Sequence, residues 1–411
     1  MTLRNILCVG VAMATLAIAG QAQAATIVLV DQGGVTGSAA ERGFNIAAAY
    51  WGATLSNNIT IRLGVGYSAL PTGVIGSTGS STMSYSVANW EAGINATKSN
   101  SATDASIVLP TLGANGSAAF ITNGYTSGNL GVNVNTVRFD SSTTDANNRI
   151  LDLNTANVKA VGGTATYDTT NTQQLDGSVQ FSSNFGFDFN PTDGINANTF
   201  DFIGVAIHEI GHALGFVSGV DTLDYFGGKG PGAATGNTLN FNQYRIFSAL
   251  DMFRYSTDPT DVAPGTGPAL DLSVGGTKYF SIDGGKTALY GNTFATGSYN
   301  GDGDQASHWK DASGANACGP QLGIMDPTFC YQQRGEVTAL DLAAFDAIGY
   351  NLAADARSST YLMNTAQIYD RFNATAVPEP ATWGMMILGF GLVGGAMRRR
   401  KGNVATSVRF A

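Results

Sequence analysis

The sequence predicts an α+β domain that combines a twisted mixed sheet, one central helix and a long irregular part. Three observations carry this. The chain opens on a strand–helix–strand pattern, the start of a sheet with a helix layered on it. Residues 199–216 carry one sustained apolar stripe at helical spacing. Elsewhere the chain is rich in turn formers, with 53 Gly in 411 residues. Only 12% is charged, against roughly 25% in ordinary soluble domains. With 44% apolar residues it is neither a disordered acidic chain nor a nucleic-acid binder.

Each element follows from local pattern. Ala25–Val30 is a β-branched run stopped by Gly33-Gly34, and so a strand. Ser38–Leu55 places Phe44, Ala47, Ala48 and Trp51 on one helical face. Asn57-Asn58 ends that helix, and Ile59–Val65 alternates as a second strand. Residues 68–175 are Ser-, Thr-, Asn- and Gly-rich, with short strand-like runs and one helix around Ser86–Asn95. No period marks a repeat array. Val179–Phe189 alternates Val179, Phe181, Phe185, Phe187 and Phe189 against polar residues, a strand with one buried face. A turn at 190–194 leads to the helix 199–216, for which Asn198 or Thr199 is the expected cap. Thr338-Ala-Leu-Asp341 forms a capping box for a helix that Gly349 ends. The polar stretch 353–377 then reads as a linker.

The two ends are processing segments. Residues 1–24 combine Arg4, an apolar run and Ala22-Gln23-Ala24, a secretory signal peptide. Near the other end stand Pro378-Glu379-Pro380, Trp383, 17 uncharged residues from Ala381 to Met397, and Arg398-Arg399-Arg400-Lys401. The basic block favours the cytoplasmic side. Residues 378–401 resemble the PEP-CTERM sorting signal of Gram-negative bacteria. That resemblance implies an exosortase-type sorting enzyme as partner, an inner-membrane intermediate held by the C-terminal helix, loss of the tail, and delivery to the cell surface or outside. A permanent single-pass anchor is the alternative. Residues 25–377 hold 15 of the 21 basic and 29 of the 30 acidic residues, a net charge near −14. This charge disfavours nucleic acid and anionic membrane surfaces. Cys318 and Cys330, the two body cysteines, read as a disulfide in an oxidising compartment, with free thiols as the alternative.

The chemistry lies in residues 208–212, His-Glu-Ile-Gly-His. On a helix His208 and His212 stand one turn apart on the same face, so both imidazoles can reach one ion. Glu209 projects beside that ion without being forced to ligate it. The pattern fits two zinc ligands and a general base, the carboxylate taking a proton from a water that zinc has acidified. In a chain with three His and five Glu, chance would produce it on the order of 0.0003 times. A third protein ligand is needed if water is to keep the fourth position. The metzincin string HExxHxxGxxH is matched at Gly215, but its last position is Ser218. Asp221, Asp224, the distant Glu336 and His308 are therefore the candidates.

His308 stands in Ser307-His-Trp309, and Gly323-Ile-Met-Asp-Pro327 follows. HEIGHALGF, a gap of 95 residues between His212 and His308, SHW and a Met-containing turn together resemble the leishmanolysin type of metzincin. The resemblance implies a metzincin-like catalytic domain over 26–352, zinc on His208, His212 and His308, and Glu209 as base. It also implies Met325 as a soft floor under the metal; Cys318 and Cys330 flank that residue, so their disulfide would brace the turn. The substrate would be a protein or peptide. Calcium at Asp283-Gly284 or Asn300–Asp304 competes with a reading of both as tight turns. Tyr331 is a further candidate for polarising a scissile carbonyl. The rival reading, from another class, is a non-catalytic cell-surface or biofilm-matrix protein with a structural zinc site.

Overall fold

A computed structural model describes residues 24–373 except 73, 258–266, 312–313 and 315–317. The signal segment, apart from Ala24, and the sorting tail 378–401 lie outside the described residues. The strands β1 (Thr26–Gly33), β2 (Thr60–Ser68), β3 (Gly76–Ser80) and β4 (Gly177–Ser182) form the main sheet, in the order β1–β2–β4–β3. The first three in that order are parallel, and β3 pairs antiparallel with β4 to make one edge. The helix α1 (Ala39–Thr54) connects β1 to β2, as the opening pattern predicts. The expected helix in the polar segment is α2 (Val87–Thr97), with the Ser86 hydroxyl accepting from the Asn89 N–H at 3.1 Å. That segment is more ordered than its composition suggests. Residues 82–86 pair with 150–154, and 120–124 with 133–140, as antiparallel ladders.

The central helix α3 (Phe202–Ala213) packs along α1 and under β3. Trp51 of α1 donates its indole N–H to the Ile207 carbonyl at 3.0 Å. The helix begins later than its periodicity suggests, and its cap is Asp201 rather than Asn198 or Thr199. One Asp201 oxygen accepts from the N–H groups of Ile203 and Gly204, each at 3.1 Å. Asn198 has φ 59°, a left-handed turn conformation, and so cannot occupy the extended cap position. The alternating run 179–189 is also corrected. It breaks after Ser182, and Phe187-Asp188 pairs instead with Phe200-Asp201. The break folds Phe181, Phe187 and Phe189 around Phe202, with ring centroids 4.7, 5.3 and 4.7 Å away. Aromatic packing at the start of α3 therefore replaces one long strand.

Beyond α3 the chain is irregular, as expected: short helices, 3₁₀ turns and a small sheet of residues 254–256, 269–270 and 279–280. Order returns at α4 (Ala339–Ile348), which has the predicted Thr338–Asp341 capping box and ends at Gly349 with φ 123°. As far as residue 373, the segment expected to be a linker is part of the body. Residues 362–364 pair with 336–338, and α5 (Thr365–Phe372) lays buried Ile368 and Phe372 against α1. A periodicity carried by two apolar anchors in eight residues is too brief to stand out from polar sequence. Among the described residues no helix is long and apolar enough to cross a membrane.

Candidate metal centre

His208 and His212 leave α3 on the same face, and the loop before Trp309 brings His308 up to meet them. The three Nε2 atoms form a triangle with sides of 3.0, 3.1 and 3.3 Å. Each ring's other nitrogen faces a carbonyl oxygen: Ile324 at 2.7 Å for His208, Phe216 at 2.7 Å for His212 and Gln305 at 3.2 Å for His308. A carbonyl can only accept, so each Nδ1 carries the proton and each Nε2 presents a lone pair. Burial holds all three rings neutral, with His208 lowered to about 3, His212 to about 4 and His308 well below its ordinary value. The neighbouring imidazoles add to the effect for His208 and His308. Three converging lone pairs with no proton between them repel one another unless a cation is shared. Among the described residues this is the one group of three or more His, Cys, Asp or Glu side chains gathered closely enough to hold a metal ion.

The third histidine is held across a large sequence separation. Asp221 accepts from the Ala306 N–H at 2.6 Å, and from the Ser307 N–H and hydroxyl at 3.2 and 2.5 Å. Trp309 donates its backbone N–H to the Met325 carbonyl at 3.0 Å and its indole N–H to Asp341 at 2.8 Å. The same Asp341 accepts from the Ile324 and Met325 N–H groups at 2.9 and 3.2 Å. One buried carboxylate thus ties the His308 segment, the Met325 turn and the start of α4 together. Met325 lies against α3 at Gly211, where a β-carbon would come within 2.6 Å of its sulfur. Cys318 and Cys330 are disulfide-bonded, with Cα atoms 5.8 Å apart. The loop they close supplies the Ile324 carbonyl and Met325, and also Pro327, Thr328 and Phe329 of the cleft wall.

The histidines open into a cleft of about 590 Å³. The edge strand β3 forms one side from Gly76 to Ser80, and residues 327–329 another. Glu209 lines it, and burial pushes its carboxyl up to about 7 against a hydrogen bond from Thr78 that lowers it. The Thr78 hydroxyl lies 2.6 Å from Glu209 Oε2.

Other candidates fall elsewhere. Asp221 borders the cleft, but both its oxygens serve the His308 turn. Asp224 accepts from the Tyr299 and Asn300 N–H groups, and Glu336 is exposed on a strand outside the cleft. Tyr331 is half exposed and packs its ring at a tilt against Phe200, centroids 4.4 Å apart, outside the cleft lining, so it is not placed to polarise a carbonyl there. Asp283 closes a turn by accepting from Ser281 and Thr287. In residues 300–304, Asp302 accepts from the Thr296 N–H and pairs with Lys310 at 3.5 Å. Thr78, Gly76 and the tying role of Asp341 were not legible beforehand. Thr78 meets Glu209 across 131 residues and Asp341 meets Trp309 across 32, so no local pattern in the sequence marks them.

Residues 376–401 match the PEP-CTERM protein-sorting motif. The chain therefore carries a signal for an exosortase-type sorting enzyme and for export through a membrane-anchored intermediate. No curated protein and no solved structure matched the chain.

Proposed function

We propose that this chain is an exported zinc-dependent endopeptidase. The observation that carries the reading is the convergence of three Nε2 lone pairs beside a buried carboxylate in an open cleft. Nitrogens bound to tetrahedral zinc at 2.0–2.1 Å stand about 3.3 Å from one another, close to the sides of the histidine triangle. The all-imidazole donor set, neutral and oriented by backbone carbonyls, suits zinc better than calcium or magnesium, which take oxygen ligands. When bound, zinc would polarise a scissile carbonyl and make water acidic enough to attack near neutral pH.

The chain's own groups do the rest. His208, His212 and His308 hold the ion, with their rings locked by Ile324, Phe216 and Gln305. Glu209 takes the proton of the attacking water and returns it to the departing amine nitrogen, so that one carboxylate serves as base and then acid. Met325 supports the floor without a donor role. The alternative of a surface protein with a structural zinc site is disfavoured by the cleft, because structural sites are closed by four protein ligands. The test is metal analysis and cleavage of an unstructured protein such as casein, with and without chelator, on wild type and Glu209→Gln. The variant should bind zinc as wild type does and lose about 10²–10⁴-fold in turnover. Wild-type turnover in the zinc-replete variant, or cleavage insensitive to metal removal, would overturn the reading.

A further inference from the structure

We propose that Thr78, on the edge strand β3, is the positioning residue for Glu209. The inference deepens the peptidase reading and rests on it. Alternate residues of a strand share a face, and on β3 Gly76, Thr78 and Ser80 meet α3 in turn. A β-carbon at Gly76 would lie 2.9 Å from Glu209 Oε1. The Thr78 hydroxyl lies 2.6 Å from Glu209 Oε2 and 2.9 Å from the Glu209 carbonyl. Ser80 reaches the His212 carbonyl at 3.4 Å. The carboxylate therefore occupies a slot cut between a missing side chain and a hydroxyl. A hydroxyl has one proton to give, and the shorter contact assigns it to the carboxylate. With Oε2 held, Oε1 is fixed beside Gly76, and both residues line the cleft in which the attacking water's proton must be received. A glutamate without that anchor has three free torsions and spends part of its time turned away.

Thr78→Val keeps the shape of the side chain and removes the donor, while Thr78→Ser keeps the donor and removes a methyl group. Both, with wild type, are to be assayed as the full zinc-loaded chain for kcat, KM and zinc stoichiometry, and solved as crystal structures. The valine variant should lose roughly 10–100-fold in kcat, with KM within about twofold and zinc content unchanged. The serine variant should recover most of that loss. In the valine crystal the Glu209 carboxylate should leave the slot. Unchanged kcat in Thr78→Val, failure of serine to restore it, or a carboxylate that stays in place would each overturn the assignment. If wild type cleaves nothing, the peptidase reading fails, and the crystal comparison alone decides whether Thr78 positions Glu209. Should Thr78→Val not fold, Thr78→Ala takes its place with the same outcomes.

Discussion

Both oxygens of Asp221 are taken up by the turn that carries His308, so this carboxylate holds the third imidazole's backbone, and under the proposed function it is a support rather than a ligand. Removing it should loosen the ligand without deleting it. Zinc affinity measured by competition with a chelating dye should fall about 10–100-fold in Asp221→Ala, further in His308→Ala, and not at all in Asp224→Ala. Loss in Asp221→Ala as complete as in His308→Ala would make the aspartate a ligand. At this scale the gathering of the histidines is legible because the residue type is rare: three His in all, two of them at fixed helical spacing. The residues that orient them are not. Asp341 reads from sequence as an ordinary capping-box acid, yet it also serves Trp309, Ile324 and Met325 through tertiary contact alone.

Among the elements, α1 is readable from its apolar periodicity over several turns and α4 from its capping box and terminal Gly349. The run 179–189 misled because period-2 alternation continues through a turn that aromatic packing imposes around Phe202. Segment α5 leaves no clear pattern in the sequence because its register depends on docking against α1. The helix α2 carries a strained feature of its own. Glu91 is half-buried, one of its oxygens has no hydrogen-bond partner among the described residues, and burial raises its carboxyl from 4.5 to about 7. A folded-state value above the unfolded one means that the native chain holds this proton longer. Stability therefore falls as pH rises from about 4.5 to about 7, and the penalty is complete above that window. Glu91→Gln should melt higher than wild type at pH 8, by about 1 kcal/mol after discounting for solvent reaching the side chain. The difference should vanish near pH 4, where both side chains are neutral. Thermal unfolding at the two pH values decides it, and an equal gain at both would mean that packing, not charge, is responsible.

For the whole molecule, the packed body and the sorting signal adjoin without overlapping. The last described helix, α5, buries Phe372 against the body, and the matched motif begins at residue 376. A cut near Pro378–Pro380 therefore removes no residue that the described fold uses. The 17 uncharged residues that follow are near the lower limit for a spanning helix, about 17–25 residues. Arg398–Lys401 favours the cytoplasmic side, so the expected intermediate has its body facing the periplasm before processing. Mass spectrometry of surface and secreted material from the native host should find a C-terminus close to the Pro-Glu-Pro box. The released chain should melt at the same temperature as the intact one, since α5 and its contacts are retained. Chains ending at Ala411 and confined to the inner membrane would mean that the tail is a permanent anchor. A terminus upstream of Phe372 would instead strip α5 from α1, and that product should melt measurably lower.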